Sequence, residues 1–466
     1  MNKEVDPQAL EELETGEPLV LPIRPRDLRR SIRVTIRGRS VSLVGIRRIP
    51  PGLLGWLVIL GPGLIATSAG NDAGGIATYA SAGAQYGYDL IWVMVVLTVA
   101  FAVVQEMCAR LGAATGRGLL DLIRERFGVR WALFAVGIIL IANGVVTISE
   151  FVGIGWAMDL IGISKNIAVP LGAVFLWYLV VYGNYPSVEK IFLTMTLVFF
   201  AYPIAAFMGH PNWTAVAQGA FVPKIHLESA YIFILVGLLG TTITPYIQIF
   251  QQSSLVEKGV ARRHYGPERK DAYFGALFSN TMSVFMIITT AAAIFYKFGP
   301  RELETAADAA RALEPAVGSA AKTLFGIGLL GASLLAGAVL PLATSYSVCE
   351  AFGVPKGVSL DFRRARVFFT LFTSLIVIGA VVALIPNLPL IKMLLWIQVL
   401  NGILLPIILV FILLLINDSR LVGHLKNTRW SNILGWGTFA LITTAVVIML
   451  GGQLLDALGI QLFGGG

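Results

Sequence analysis

From residue 53 onward, long apolar runs alternate with short polar stretches. Eleven such runs stand out: 53–84, 89–111, 132–161, 167–183, 190–209, 229–257, 272–297, 320–351, 365–386, 390–416 and 431–458. Each is long enough to cross roughly 30 Å of hydrocarbon as a helix. The pattern predicts an all-α polytopic membrane protein with 11 transmembrane helices, its core built between helices rather than as a water-facing globule.

Two runs are interrupted. The first contains Ser68-Ala69-Gly70-Asn71-Asp72-Ala73-Gly74-Gly75, a carboxylate among helix-breaking residues. An ionisable group at that depth is costly and is tolerated where it faces a polar cavity or an ion. Glycines around it let the helix unwind and turn carbonyls toward a ligand instead of lipid. The sixth run breaks in a similar way at Gly240-Thr241-Thr242-Ile243-Thr244-Pro245-Tyr246. There Pro245 removes an amide donor and frees an upstream carbonyl near Thr241. Pro203, Pro341 and Pro406, also inside runs, read as simple kinks.

If spans one to five and six to ten repeat one unit, the odd number inverts the second copy in the membrane. This is the inverted-repeat plan of secondary transporters, with substrate held between the broken first helices of the two copies. The predicted organisation is a polar arm (1–50), a first five-helix repeat (51–209), a second (229–416) and an additional eleventh helix (431–458). Asp72 and Thr244 then sit at comparable depths.

Composition agrees: 56% of residues are hydrophobic and 13% charged, against about 25% charged in soluble domains. The net charge of +8 suggests nucleic-acid binding until its placement is read. Residues 24–48 hold nine arginines, and the loops after spans two, six, eight and ten carry further basic clusters. Intervening loops are short or balanced, as in 298–319, where Arg301 and Arg311 face Glu302, Glu304, Asp308 and Glu314. That is the positive-inside pattern, with the N-terminus cytoplasmic and, for eleven spans, the C-terminus outside. Residues 1–50 lack the apolar stretch of a signal peptide and read as a largely disordered basic arm lying against anionic lipid. Cys108 and Cys349 both fall inside spans, so no structural disulfide is expected. Asn212-Trp213-Thr214 is a glycosylation-type triplet in a predicted external loop, weak evidence by itself.

Gly61-Pro62-Gly63-Leu64-Ile65-Ala66, Asp72-Ala73-Gly74-Gly75 and Ala82-Gly83-Ala84-Gln85-Tyr86-Gly87-Tyr88 together resemble the first helix of the NRAMP family of divalent-metal transporters. The run from Ala109 to Arg117 is similar to that family's second-helix signature, and Glu150-Phe151-Val152-Gly153 to its third. The resemblance covers roughly residues 50–450. It implies a LeuT-like fold and a metal site between spans one, six and ten. The departures carry the specificity. The family's Asp-Pro-Gly-Asn reads Asp72-Ala73-Gly74-Gly75, so glycine replaces the amide ligand. Its Met-Pro-His reads Thr244-Pro245-Tyr246, a hydroxyl for a thioether and a phenol for an imidazole. The second family histidine is Gln251, and the third-helix aspartate implicated in proton passage is Thr147. These features resemble the NRAMP-related magnesium transporter branch.

The donor chemistry points the same way. Thioether sulfur favours transition metals, whereas Mg2+ takes oxygen ligands and usually keeps several waters. The candidate metal residues are Asp72, Gly75, Thr241, Thr244, Tyr246, Gln398 and Asn401, where Gln398 matches a family glutamine that contacts metal. Six of them have a plainer reading: Asp72 as a helix cap in the unwound segment, Thr241 and Thr244 as back-bonded hydroxyls, Tyr246 as cavity lining, Gln398 and Asn401 as bridges between helices. Glu106 and Arg110, four apart on one helix, read as a structural ion pair. Asp159, Glu350, Lys392 and Asp456, near span ends, read as reaching interfacial water, with no role. Glu150 at mid-membrane has no assigned role, and proton coupling is expected to be weak or absent because most groups that titrate near neutrality are missing around it.

The expected activity is secondary transport of Mg2+, and also Mn2+, in a plasma membrane. The runner-up is a proton-coupled Mn2+/Fe2+ symporter, and a sodium-coupled amino-acid carrier of the same fold stands behind it. No catalytic constellation is visible, and His210, His226, His264 and His424 all fall in loops, so an enzyme is not expected. Nor is a resident cofactor or an obligate protein partner; the expected state is a monomer in the bilayer.

Overall fold

The computed structural model describes residues 32–36, 39–43, 61–260, 262, 265–303, 321–385 and 390–458. In the arm expected to be largely disordered, Ile32–Ile36 pairs antiparallel with Arg39–Leu43 as a short hairpin, placing Val34 opposite Val41. The regular elements described beyond it are helices.

Among the described residues nine helices are long and apolar enough to cross a membrane. They match nine of the eleven expected spans. The fourth, Lys165–Val181, is a shorter apolar helix of 17 residues. The first is split into α1 (Pro62–Ala69) and α2 (Ala73–Tyr86). After it come α3 (Ile91–Thr115), the short amphipathic α4 (Leu119–Phe127) and α5 (Val129–Asp159). The fifth span, Tyr185–Met208, passes through a 3-10 turn at Thr196–Phe200 just ahead of Pro203.

The sixth span is also split, into α6 (Ser229–Thr242) and α7 (Pro245–Glu257). Its break is narrower than the sequence suggests: Gly240 and Thr241 stay helical, and only Ile243 and Thr244 leave the helix. The reason is packing. A Cβ at Gly240 would collide with the Gln398 carbonyl and with Gly402, so this glycine serves close approach to the tenth span instead of unwinding. That span is α8 (Leu390–Asn417).

The remaining spans are α9 (Tyr265–Thr290, continued by a π-helical turn, Ala291–Phe295), α10 (Ala321–Phe352), α11 (Arg366–Ala383) and α12 (Arg429–Ala457). Helix α5 packs along α10, α6 along α8, and α9 against α1, α2 and α3. The two broken helices are therefore enclosed, and every residue from Gly61 to Ala84 and from Val236 to Leu255 is buried.

Polar staples hold the ends facing the basic loops. Asp271 accepts the amide hydrogens of Gly61 (3.0 Å), Gly63 (2.6 Å) and Leu64 (3.2 Å), anchoring the start of α1. Lys258, just past α7, lies 3.1 Å from Glu189 and 3.6 Å from Glu268. Burial works against its charge, but Glu268, Glu189 and Asp271 together hold its pKa above the usual lysine value.

Glu350 corrects an expectation. It does not reach interfacial water but is wholly buried, accepting from Leu120 N (3.1 Å) and Ser253 Oγ (2.7 Å) with Lys356 at 3.4 Å. It pins α4 and α7 to the end of α10. Glu106 and Arg110 do form the expected pair, at 3.1 Å, and also engage Tyr265 and Asn427. Both cysteines are buried and free. Asn212 caps the helix Trp213–Phe221, accepting from Thr214 N and Ala215 N, which gives the glycosylation-type triplet a structural role.

Candidate metal-ion site

At the first break the carbonyl end of α1 faces the amide end of α2 across Gly70–Asp72. Asp72 is extended (φ −68°, ψ 177°) and accepts from Gly75 N at 2.6 Å, so it is the N-cap of α2. Exposed amides and the helix dipole favour a carboxylate here. A second carboxylate shares this end: Glu150 Oε2 accepts from Ala73 N at 3.1 Å, while Ser149 Oγ donates to its Oε1 at 3.1 Å. Asn71 is held from α9, donating to the Ser279 carbonyl (3.1 Å) and accepting from Ser283 Oγ (2.7 Å).

Three carbonyls at the end of α1 and in the turn after it accept from hydroxyls, while Ser68 O accepts from Asn71 N (3.0 Å). Ser279 Oγ donates to Thr67 O (2.6 Å), Tyr246 Oη to Ala69 O (2.7 Å) and Thr241 Oγ1 to Gly70 O (3.5 Å). These contacts supply protein partners to the carbonyls around the unwound turn, as backbone at membrane depth requires.

The second break lies opposite. Thr244 is extended (φ −78°, ψ 145°) and Pro245 opens α7, so the Thr241 carbonyl has no amide partner four residues on. Thr244 Oγ1 is buried with no hydrogen-bond partner. Neither Thr241 nor Thr244 back-bonds along its own helix. Tyr246, wholly buried, points its hydroxyl at Asp72 Oδ2, 3.2 Å away, as well as at Ala69 O.

Helix α8 supplies the third side. Gln398 Nε2 donates to Asp72 Oδ1 at 2.9 Å. Asn401 does not touch Asp72; it donates to Gln398 Oε1 at 3.0 Å, and its own Oδ1 has no partner. Two glycines shape the space. A Cβ at Gly74 would collide with the Gln398 amide, and one at Gly75 would lie 2.7 Å from Thr241 Oγ1 and 3.2 Å from Asp72 Oδ1.

Of the seven candidate residues, Asp72, Gly75, Tyr246 and Gln398 are therefore directly bonded, Thr241 joins through Gly70, and Asn401 joins through Gln398. Thr244 lies at the facing break without a bond. Asn71, Gly74, Ser279 and Ser283 escaped the sequence reading, although Ser279 and Ser283, four apart in an apolar run, mark a polar face. Among the described residues no three His, Cys, Asp or Glu side chains converge. The donors on hand are one carboxylate, a free hydroxyl, an amide oxygen and backbone carbonyls. Such a set suits a hard cation that keeps part of its water.

Residues 63–451 match the family described as natural resistance-associated macrophage protein-like, Nramp. A curated relative, the divalent metal cation transporter MntH of Klebsiella pneumoniae (strain 342), is 30% identical over 409 residues, 86% of this chain and 94% of the relative. The crystal structure of the Eremococcus coleocola manganese transporter superposes with TM-score 0.69 at 19% identity, covering 88% of this chain and 90% of that one. MhsT in complex with L-phenylalanine superposes at 0.60 with 12% identity, over 87% of this chain and 99% of that one. At these identities the two structures speak to the fold alone.

Proposed function

The chain belongs to the Nramp family, and from that premise we propose that it is a secondary transporter of divalent metal cations, chiefly partly hydrated Mg2+ and also Mn2+. It works by alternating access as a monomer in the plasma membrane, N-terminus inside and C-terminus outside, with weak or no proton coupling. The observation that carries the reading is Asp72: a buried carboxylate at the junction of two broken helices, surrounded by oxygen and amide donors with neither sulfur nor imidazole bonded to it. Gly75 and Thr244 add to it, since both side chains are smaller than the family's asparagine and methionine and neither carries sulfur. Energetics permit uncoupled uptake, because a divalent ion crossing 100 mV gains about 4.6 kcal/mol.

A proton-coupled Mn2+ or Fe2+ symporter is the second reading, favoured by the relatives' printed names and by Glu150 bonded one residue from Asp72. One experiment separates the two: uptake of Mg2+, Mn2+ and Ca2+ into proteoliposomes with internal pH followed in parallel. The expected result is Mg2+ influx, Mn2+ influx competed by excess Mg2+, and no matching acidification. Mn2+ uptake indifferent to Mg2+, accompanied by acidification, would establish the symporter instead.

A further inference from the structure

Asp72 is satisfied here by three neutral donors. Gly75 N–H and Gln398 Nε2 serve Oδ1 at 2.6 and 2.9 Å, and the Tyr246 hydroxyl lies 3.2 Å from Oδ2. That hydroxyl has one hydrogen and two acceptors in reach, the second being Ala69 O at 2.7 Å. Turning the O–H bond alone decides which acceptor is served. Aimed at Oδ2, the phenol is a donor to the carboxylate. Aimed at Ala69 O, it leaves Oδ2 free and presents a neutral oxygen to the same space.

We infer that Tyr246 is the residue that lets the carrier return without its ion, donating to Asp72 when no cation is bound and turning to Ala69 O when one arrives. The inference rests on the uncoupled-transport reading above. A carrier that completes net transport must carry its binding group back through a water-poor interior, where a carboxylate without donors is heavily penalised. A proton-coupled carrier can neutralise the group. In this chain Gly75 N–H and Gln398 hold only Oδ1, so Oδ2 depends on Tyr246. Phenylalanine would keep the ring packed against the broken helices and remove only the switching hydrogen.

The test compares two fluxes in one proteoliposome preparation: Mn2+ tracer exchange at equal concentrations on both sides, and net Mn2+ uptake into Mn2+-free vesicles under a clamped potential. Exchange cycles only the loaded carrier, whereas net uptake includes the unloaded return. The ratio of the two does not depend on how much protein is active. For Tyr246→Phe the ratio of net uptake to exchange is expected to fall roughly tenfold, net uptake losing that much more than exchange whatever the loss in exchange itself. For Tyr246→His, which restores an N–H donor, the ratio recovers toward the parent value. Equal loss of both fluxes would make Tyr246 a plain ligand or packing residue and overturn the inference, as would an unchanged ratio. If Y246F does not give monodisperse protein, Tyr246→Leu removes the same donor and is read by the same ratio. A parent protein that moves no divalent cation in either assay would instead sink the transport reading itself.

Discussion

Glu150 and Ala73 are joined by a 3.1 Å hydrogen bond from the Ala73 amide to the Glu150 carboxylate. Ala73 directly follows Asp72, so two acidic side chains from different spans serve the same helix end. Glu150 thereby couples the third span to the metal-ion site through the backbone, without needing to touch the ion. Replacing it by glutamine preserves an acceptor; replacing it by alanine does not. We expect Glu150→Gln to retain Mg2+ uptake within a few-fold, and Glu150→Ala to weaken apparent affinity by about 1 kcal/mol, the worth of a lost cap. Uptake assayed over a range of Mg2+ concentrations checks this; equal, severe loss in both variants would point to a proton role.

Asp72 accepts from Gly75 of α2 and from Gln398 of α8, so it ties the broken helix to the tenth span. Asp72→Ala is expected to reduce divalent-cation uptake to background, a fall of roughly a hundredfold or about 2.7 kcal/mol. Tracer uptake into liposomes at saturating Mg2+ measures it, and parental uptake by this variant would remove the site from the ion's path.

Selectivity is open to redesign at the two positions that depart most from the family pattern. Thr244→Met places a thioether at the free hydroxyl of the second break, and soft sulfur favours transition metals. Gly75→Asn adds bulk where an added Cβ would lie only 2.7 Å from Thr241 Oγ1, and brings back the family's amide. The double variant is expected to lose Mg2+ transport while keeping Mn2+, so that excess Mg2+ no longer competes with Mn2+ uptake. Unaltered competition would show that these positions do not set the preference.

Gly74 offers a subtler check. Its missing side chain is the space that the Gln398 amide occupies, so Gly74→Ala must push Gln398 from Asp72. The expected outcome is a rise in KM of roughly tenfold with the fold intact by thermal unfolding. A variant with parental KM would mean that the Asp72–Gln398 contact contributes nothing to ion binding.

Lys258 governs stability at the end of α7 facing the basic loops. Its pKa is held above the ordinary value against its own burial, by Glu268, Glu189 and Asp271. A cation so raised contributes in full below its unfolded value of about 10.4 and loses the contribution only as pH climbs through the higher folded value. Its share of stability should therefore be flat across the neutral range. Lys258→Met removes the buried cation that lies 3.1 Å from Glu189, at a cost of roughly 3 kcal/mol. Melting temperatures of parent and variant between pH 6 and 8 test both statements; a gap that closes toward pH 8 would contradict the pKa direction.

Much of this protein was legible in its residues. Apolar runs located the spans because lipid forces each crossing segment to bury its own backbone bonds. Asp72 identified itself, since a carboxylate in such a run needs a partner. The first break was visible from its glycines and the second from Pro245. Distances along the chain, however, carry no information about which donors meet. That Tyr246 reaches back to Ala69 and Asp72, that Gln398 bonds Asp72 while Asn401 bonds only Gln398, and that Glu150 caps Ala73 are decided by how α5, α7 and α8 pack on the broken helix. Glu350 shows the same limit: near a span end it reads as reaching water, yet packing of α4 and α7 buries it under three partners. Local sequence sets what each residue can donate or accept; only the tertiary arrangement sets to whom.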